Sequence, residues 1–253
     1  LHTVSGNTGV MRIDYNVASG SGTFNNTLSL NKNVVLAARG GGTLILSGNI
    51  NNAHKVVLGG SSSDNGVVRL TGTGSGYSGK TEVKYGTLEI DNDRGVGGVP
   101  GSADANNITL ESGTALVATD TFTLNANRGI TLSGGNAYLA AADTKTLTYN
   151  GIITDGAETR AIVKNQNGTV VLGGENTFDG GVYLDHGTLS LAHASGAGTG
   201  DIYLGKESDA NQNATLRIKE GLTVTNQVVS RPTSGDIVTI DTGSGSGSAT
   251  LSG

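Results

Sequence analysis

Apolar residues in this chain come in short runs separated by small and polar ones. Val34-Val35-Leu36, Thr43-Leu44-Ile45-Leu46, Lys55-Val56-Val57-Leu58, Thr87-Leu88-Glu89-Ile90, Ile108-Thr109-Leu110 and Thr121-Phe122-Thr123-Leu124 either alternate or form brief apolar stretches. Each is bounded by Gly, Asn, Ser or Asp, which favour turns. The pattern predicts strands of roughly four to six residues, about two dozen of them at a mean spacing near ten residues. No window of about 11 residues or more carries apolar positions at i, i+3, i+4 and i+7, so no amphipathic helix is predicted. The chain reads as all-β.

Internal repetition narrows the choice among all-β folds. Residues 66–90 contain Val68, Leu70, Gly72, Tyr77, Gly79, Val83 and Gly86-Thr87-Leu88; residues 168–191 repeat this as Val170, Leu172, Gly174, Phe178, Gly180, Leu184 and Gly187-Thr188-Leu189. Each copy is a strand ending in Gly, a polar turn carrying one aromatic, a second strand, then Gly-Thr-Leu and a third strand. Such self-similarity is the signature of stacked units that bury their apolar faces against one another. Two or three strands per turn would give about nine to twelve turns and, at roughly 4.8 Å between stacked strands, a rod on the order of 50 Å long.

The run from Gly168-Thr169-Val170-Val171-Leu172-Gly173-Gly174 through Glu175-Asn176-Thr177-Phe178-Asp179-Gly180-Gly181 to Gly187-Thr188-Leu189-Ser190-Leu191 resembles the autotransporter-associated β-strand repeat. Arg128-Gly129-Ile130-Thr131-Leu132 and Leu147-Thr148-Tyr149-Asn150-Gly151-Ile152-Ile153 resemble its lead-in. The likeness is best over residues 120–205, weaker over 66–117, and absent from the first 40 residues and from 206–247. It implies a right-handed parallel β-helix in a secreted, often adhesive passenger, usually exported with a C-terminal outer-membrane barrel. No barrel sequence is present here. The start, Leu1-His2-Thr3-Val4, lacks the charged and apolar regions of a signal peptide. Ala249-Thr250-Leu251-Ser252-Gly253 repeats the opening of the unit and stops. The expectation is a single β-helix segment, residues 1–253, excised from a longer rod.

Composition fits a narrow core. Among 253 residues there are 42 Gly, 2 Pro, no Cys and no Trp, with 35% hydrophobic and only 4% aromatic residues, so Leu, Val, Ile and Ala must do the packing. The net charge of −5 and the lack of basic runs argue against nucleic acid as a partner. The absence of cysteine removes disulfides, thiolate metal sites and Cys nucleophiles together. No stretch reaches the roughly 20 apolar residues of a membrane-spanning helix.

Several motifs invite a sharper chemistry. Gly74-Ser75-Gly76-Tyr77-Ser78-Gly79-Lys80-Thr81 fits the phosphate-binding pattern G-x-x-x-x-G-K-[ST], yet Thr81-Glu82-Val83-Lys84-Tyr85 alternates like a strand where a helix should open. The repeat already accounts for these glycines, so Lys80 is expected to bind no nucleotide. Asp91-Asn92-Asp93-Arg94-Gly95 resembles a calcium loop, but Val96 stands at the glycine position and Ser102 where a bidentate Glu belongs. The histidines, His2, His54, His186 and His193, form no zinc-binding pair, and His186 replaces Tyr85 of the first copy at what should be an exposed turn. No serine-nucleophile elbow occurs. A polysaccharide-cleaving face would need convergent carboxylates, and Asp14, Glu89, Asp91, Asp93, Arg94, Asp185 and Asp201 are scattered. With 7 Tyr, 3 Phe and no Trp the supply of sugar-stacking rings also looks poor. Thr71-Gly72-Thr73 and Thr121-Phe122-Thr123 do not recur at the fixed interval an ice-binding face requires.

No catalytic, cofactor-binding or metal-ligating set is therefore expected. The sequence points to an extracellular or outer-membrane-surface solenoid that mediates adhesion, self-association or biofilm contacts. Host or matrix glycans, proteins, or the chain itself are the expected partners. A polysaccharide-binding or polysaccharide-degrading β-helix is the alternative.

Overall fold

The computed structural model describes residues 2–5, 10–206, 212–243 and 247–253. It is a parallel β-solenoid of about ten turns, built from short strands of two to seven residues. Among the described residues the one helical element is a single 3-10 turn, Asp93–Val96. The predicted segments are strands almost residue for residue. Thr43–Leu46 and Thr87–Ile90 match, and the others become Asn33–Ala38, Val56–Leu58, Asp104–Leu110 and Phe122–Leu124.

Three ladders run along the solenoid. The first has eight strands, from His2–Ser5 and Val10–Tyr15 to Ile153–Thr154; the second has ten, from Ser21–Phe24 to Val228–Ser230; the third has six, from Phe122–Leu124 to Ile237–Asp241. Every described pairing is parallel except that of His2–Ser5 with Val10–Tyr15. On the second ladder Val228 follows Ser21 by 207 residues over nine intervals, so one turn averages 23 residues. Nine intervals of roughly 4.8 Å give a rod of about 43 Å.

Register decides which side chains form the core, because alternate residues of a strand point to opposite faces. On the first ladder Val34, Val56, Thr81, Ile108, Ile130 and Ile153 stack in one inward file and Leu36, Leu58, Val83, Leu110 and Leu132 in another. On the second ladder Leu44, Val68, Leu88, Leu116 and Leu139 do the same, all buried. Each file gains van der Waals contact from rungs on both sides without any large central side chain. That is how so few aromatic residues suffice.

The repeat has an unexpected placement. Val67–Leu70 and Thr87–Ile90 pair on the second ladder, whereas their counterparts Thr169–Leu172 and Gly187–Leu191 pair on the third. From Val67 the second ladder needs four turns to reach Ile162, and Thr169 lies one face further on. The second copy is thus the same unit carried four turns along the rod and one face around it.

Close packing explains the shared glycines. Gly86 and Gly187 both have positive φ, 78° and 71°, and a Cβ on either would lie 2.4 Å from a carbonyl oxygen of the preceding turn. Only glycine meets both demands.

Candidate functional site

The loop that fits the phosphate-binding pattern leads into the strand Thr81–Val83, not into a helix. Its amides are also engaged: Gly74 N–H donates to Asn49 Oδ1 at 2.9 Å and Gly76 N–H to Asn51 Oδ1 at 3.2 Å. A Cβ on Gly79 would sit 2.2 Å from the His54 backbone. These glycines seat the loop on the previous turn, and Lys80 Nζ lies 3.5 Å from Asp104 on the outside.

Asp93 likewise has a structural partner. Arg128, fully buried, donates Nε to Asp93 Oδ1 at 2.8 Å and Nη2 to Asp93 Oδ2 at 3.1 Å. Its remaining donors reach the carbonyls of Val96, Gly97 and Gly98 and Asn107 Oδ1, at 2.8–3.1 Å. A buried cation persists only when paired and fully hydrogen-bonded, and here it fastens the turn at residues 93–98 to the strand Arg128–Leu132. Asn92 caps the same turn by accepting from Arg94 N–H.

Four of the other scattered candidates have partners of their own. Asp14 pairs with Arg12, Glu89 with Arg69, Asp91 accepts from Asn92, and Asp201 accepts from Tyr203 at 3.3 Å. No group of three His, Cys, Asp or Glu among the described residues could hold a metal ion. His193 accepts from Ser195 N–H at 3.1 Å. His186 is half-buried, not exposed as its equivalence to Tyr85 suggested, and its carbonyl accepts from Lys164 Nζ at 2.8 Å. The side chain of His2 lies outside the described residues.

Lys164 is a group the sequence pattern concealed. It pairs in register with Leu184 and continues the inward file of the second ladder, fully buried. Its Nζ donates to the carbonyls of Gln166 and His186. Burial pushes its pKa down to about 7. Alternation puts Lys164 on the same inward face as buried Ile162, and only its charge argues for an outward position.

The second feature missed is an aromatic file. Outward positions of the second ladder stack in the order Thr87, Ala115, Tyr138, Val163, Tyr183, Tyr203 and Val229. The rings of Tyr183 and Tyr203 lie 4.6 Å apart and 16° from parallel. The Arg231 guanidinium is 4.9 Å and 4.8 Å from their two centroids, so it flanks the stacked pair and covers neither outer face. A cleft of about 250 Å³ opens beside them, lined by Asn136, Tyr138, Val163, Tyr183, Asp185, Lys206 and Arg231. Three of the seven tyrosines thus share one face. Their sequence spacing could reveal this only once the lengths of the intervening turns were known.

No helix of the described residues is long and apolar enough to cross a membrane. Residues of this chain align at 33% identity over 147 positions, 56% of the chain, with the adhesin BmaC autotransporter of Brucella suis biovar 1 (strain 1330). The match spans 4% of that protein's length. No family model matches the chain, and no solved structure matches it. The solenoid and this likeness agree with the passenger-type β-helix that the repeat motif implied.

Proposed function

We propose that this chain is a stretch of a secreted or cell-surface adhesive solenoid, non-catalytic, which holds polar and aromatic side chains along a stiff rod. The observation that carries the reading is the 33% identity to an autotransporter adhesin over more than half of the chain, in a chain that folds as a continuous solenoid. Unbroken parallel ladders suit display at a surface, since each interior rung is held by two neighbours and resists local opening. Repeated weak contacts along the rod would add up through multivalency. Self-association and biofilm contacts belong to the same proposal.

The test is gain of adherence. A bacterium without adhesins of its own, displaying residues 1–253 at its surface, should adhere to matrix-coated plates or host-cell monolayers severalfold more than the vector control. Adherence equal to the control, with display verified by antibody on intact cells, would overturn the adhesive reading.

A further inference from the structure

The outward file of the second ladder has a gap. Tyr138 and Tyr183 lie two rungs apart, about 10 Å at the usual strand spacing, and the position between them is Val163. An aromatic ring at that position would complete a continuous stack. Valine leaves a slot with a tyrosine on each side and an apolar floor. A pyranose ring placed midway would sit about 5 Å from each tyrosine, close enough for its C–H faces to pack on both aromatic rings.

The polar rim adds selectivity. Asn136 and Asp185 bring polar side chains to the lining, and Lys206 and Arg231 stand on the same cleft. Arg231 has no carboxylate partner among the described residues. Its guanidinium makes one long hydrogen bond, Nη2 to Gly205 O at 3.4 Å, and its Nε is buried without a partner. Packed against two tyrosine rings, the guanidinium is held on the cleft without a carboxylate of its own among the described residues, and a guanidinium so placed can recognise a carboxylate bidentately.

We infer that this cleft binds a carboxylate-bearing pyranose, a uronic-acid-type sugar residue, stacked between Tyr138 and Tyr183 over Val163 with its carboxylate on Arg231. The assignment rests on the adhesive reading and names the chemistry of its ligand. A neutral sugar would gain the stacking alone. Single-site sugar contacts of this size are weak, and repetition along a polysaccharide would supply avidity.

The experiment compares an oligoglucuronate with a gluco-oligosaccharide of the same length and linkage, titrated by calorimetry against the full chain and its variants. The acidic oligomer should bind and the neutral one bind at least tenfold more weakly. Arg231→Gln should erase that preference, and Val163→Phe, which fills the slot with a β-compatible residue, should abolish binding of both. Circular dichroism establishes that each variant is folded. Absence of saturable heat with the acidic oligomer, or binding unchanged in Val163→Phe, would overturn the inference. The adherence assay separates the two claims. Wild-type adherence that survives Val163→Phe sinks the sugar site and leaves the adhesive reading standing, whereas no wild-type adherence at all sinks the reading itself.

Discussion

At the residue scale two buried cations, Arg128 and Lys164, carry the sharpest energetic consequences. Arg128 stands on the same strand face as the inward Ile130 and Leu132, and its countercharge, Asp93, comes from 35 positions earlier. Asp93→Asn keeps the shape and removes the countercharge, leaving a fully buried guanidinium uncompensated. A loss of about 3 kcal/mol or more is expected in urea denaturation. Lys164 gives a pH signature. Its folded pKa is about 7 against 10.5 in the unfolded chain, so between those values the unfolded state binds more protons and stability rises with pH. Relative to Lys164→Met, the wild type should gain stability from pH 7 to pH 9.5, with a slope of up to about 1.4 kcal/mol per pH unit. Parallel pH profiles for the two proteins would mean that the amine is not held neutral. Above about pH 10 the difference between the two proteins levels off, while both lose stability alike, because burial raises the Tyr77 hydroxyl to about 12 and the folded state then keeps the extra proton.

At the element scale the repeat grammar was legible, and the structure gives its reasons. Tyr77 and Phe178 are equivalent buried aromatics, and Thr81 and Val182 stand at the equivalent strand positions. Where the hydroxyls exist they satisfy each other, Tyr77 Oη to Thr81 Oγ1 at 2.7 Å; where one is missing, so is the other. Tyr77→Phe alone should therefore cost about 1–3 kcal/mol by orphaning a buried hydroxyl, and the double variant Tyr77→Phe, Thr81→Val should recover most of it. Thermal unfolding of the two variants tests this, and additive losses would contradict the pairing. Glycine positions divide in the same physical way. A Cβ at Gly174 would fall 1.8 Å from Gly151 O, while at Gly101 it would meet nothing within 4 Å. Gly174→Ala should lower the melting temperature sharply and Gly101→Ala should leave it nearly unchanged. Sequence alone marks both simply as turn glycines.

At the scale of the whole molecule, short strands, missing helical periodicity and internal self-similarity were enough to read a solenoid. The one-face displacement of the second copy was not. Residues 59–66 and residues 165–168 both link the strand before the repeated unit to the unit itself, and their unequal lengths leave no mark on a linear pattern. The same irregularity hid the tyrosine file, because turns of unequal length scatter stacked residues at unequal spacings. Tyr183 and Tyr203 are 20 residues apart, but Tyr138 precedes Tyr183 by 45 over two turns.

The stacking itself can be measured as a ruler. The chain has no cysteine, so paired spin labels can be placed without background. With one label at Val67→Cys and the second in turn at Val163→Cys, Tyr203→Cys and Val229→Cys, the partners lie four, six and seven rungs away on one outward file. Electron-electron dipolar spectroscopy should then return distances growing linearly, near 19, 29 and 34 Å, at roughly 4.8 Å per rung. Distances that failed to rise with rung number, or that clustered at one value, would contradict the solenoid and the surface function built on it.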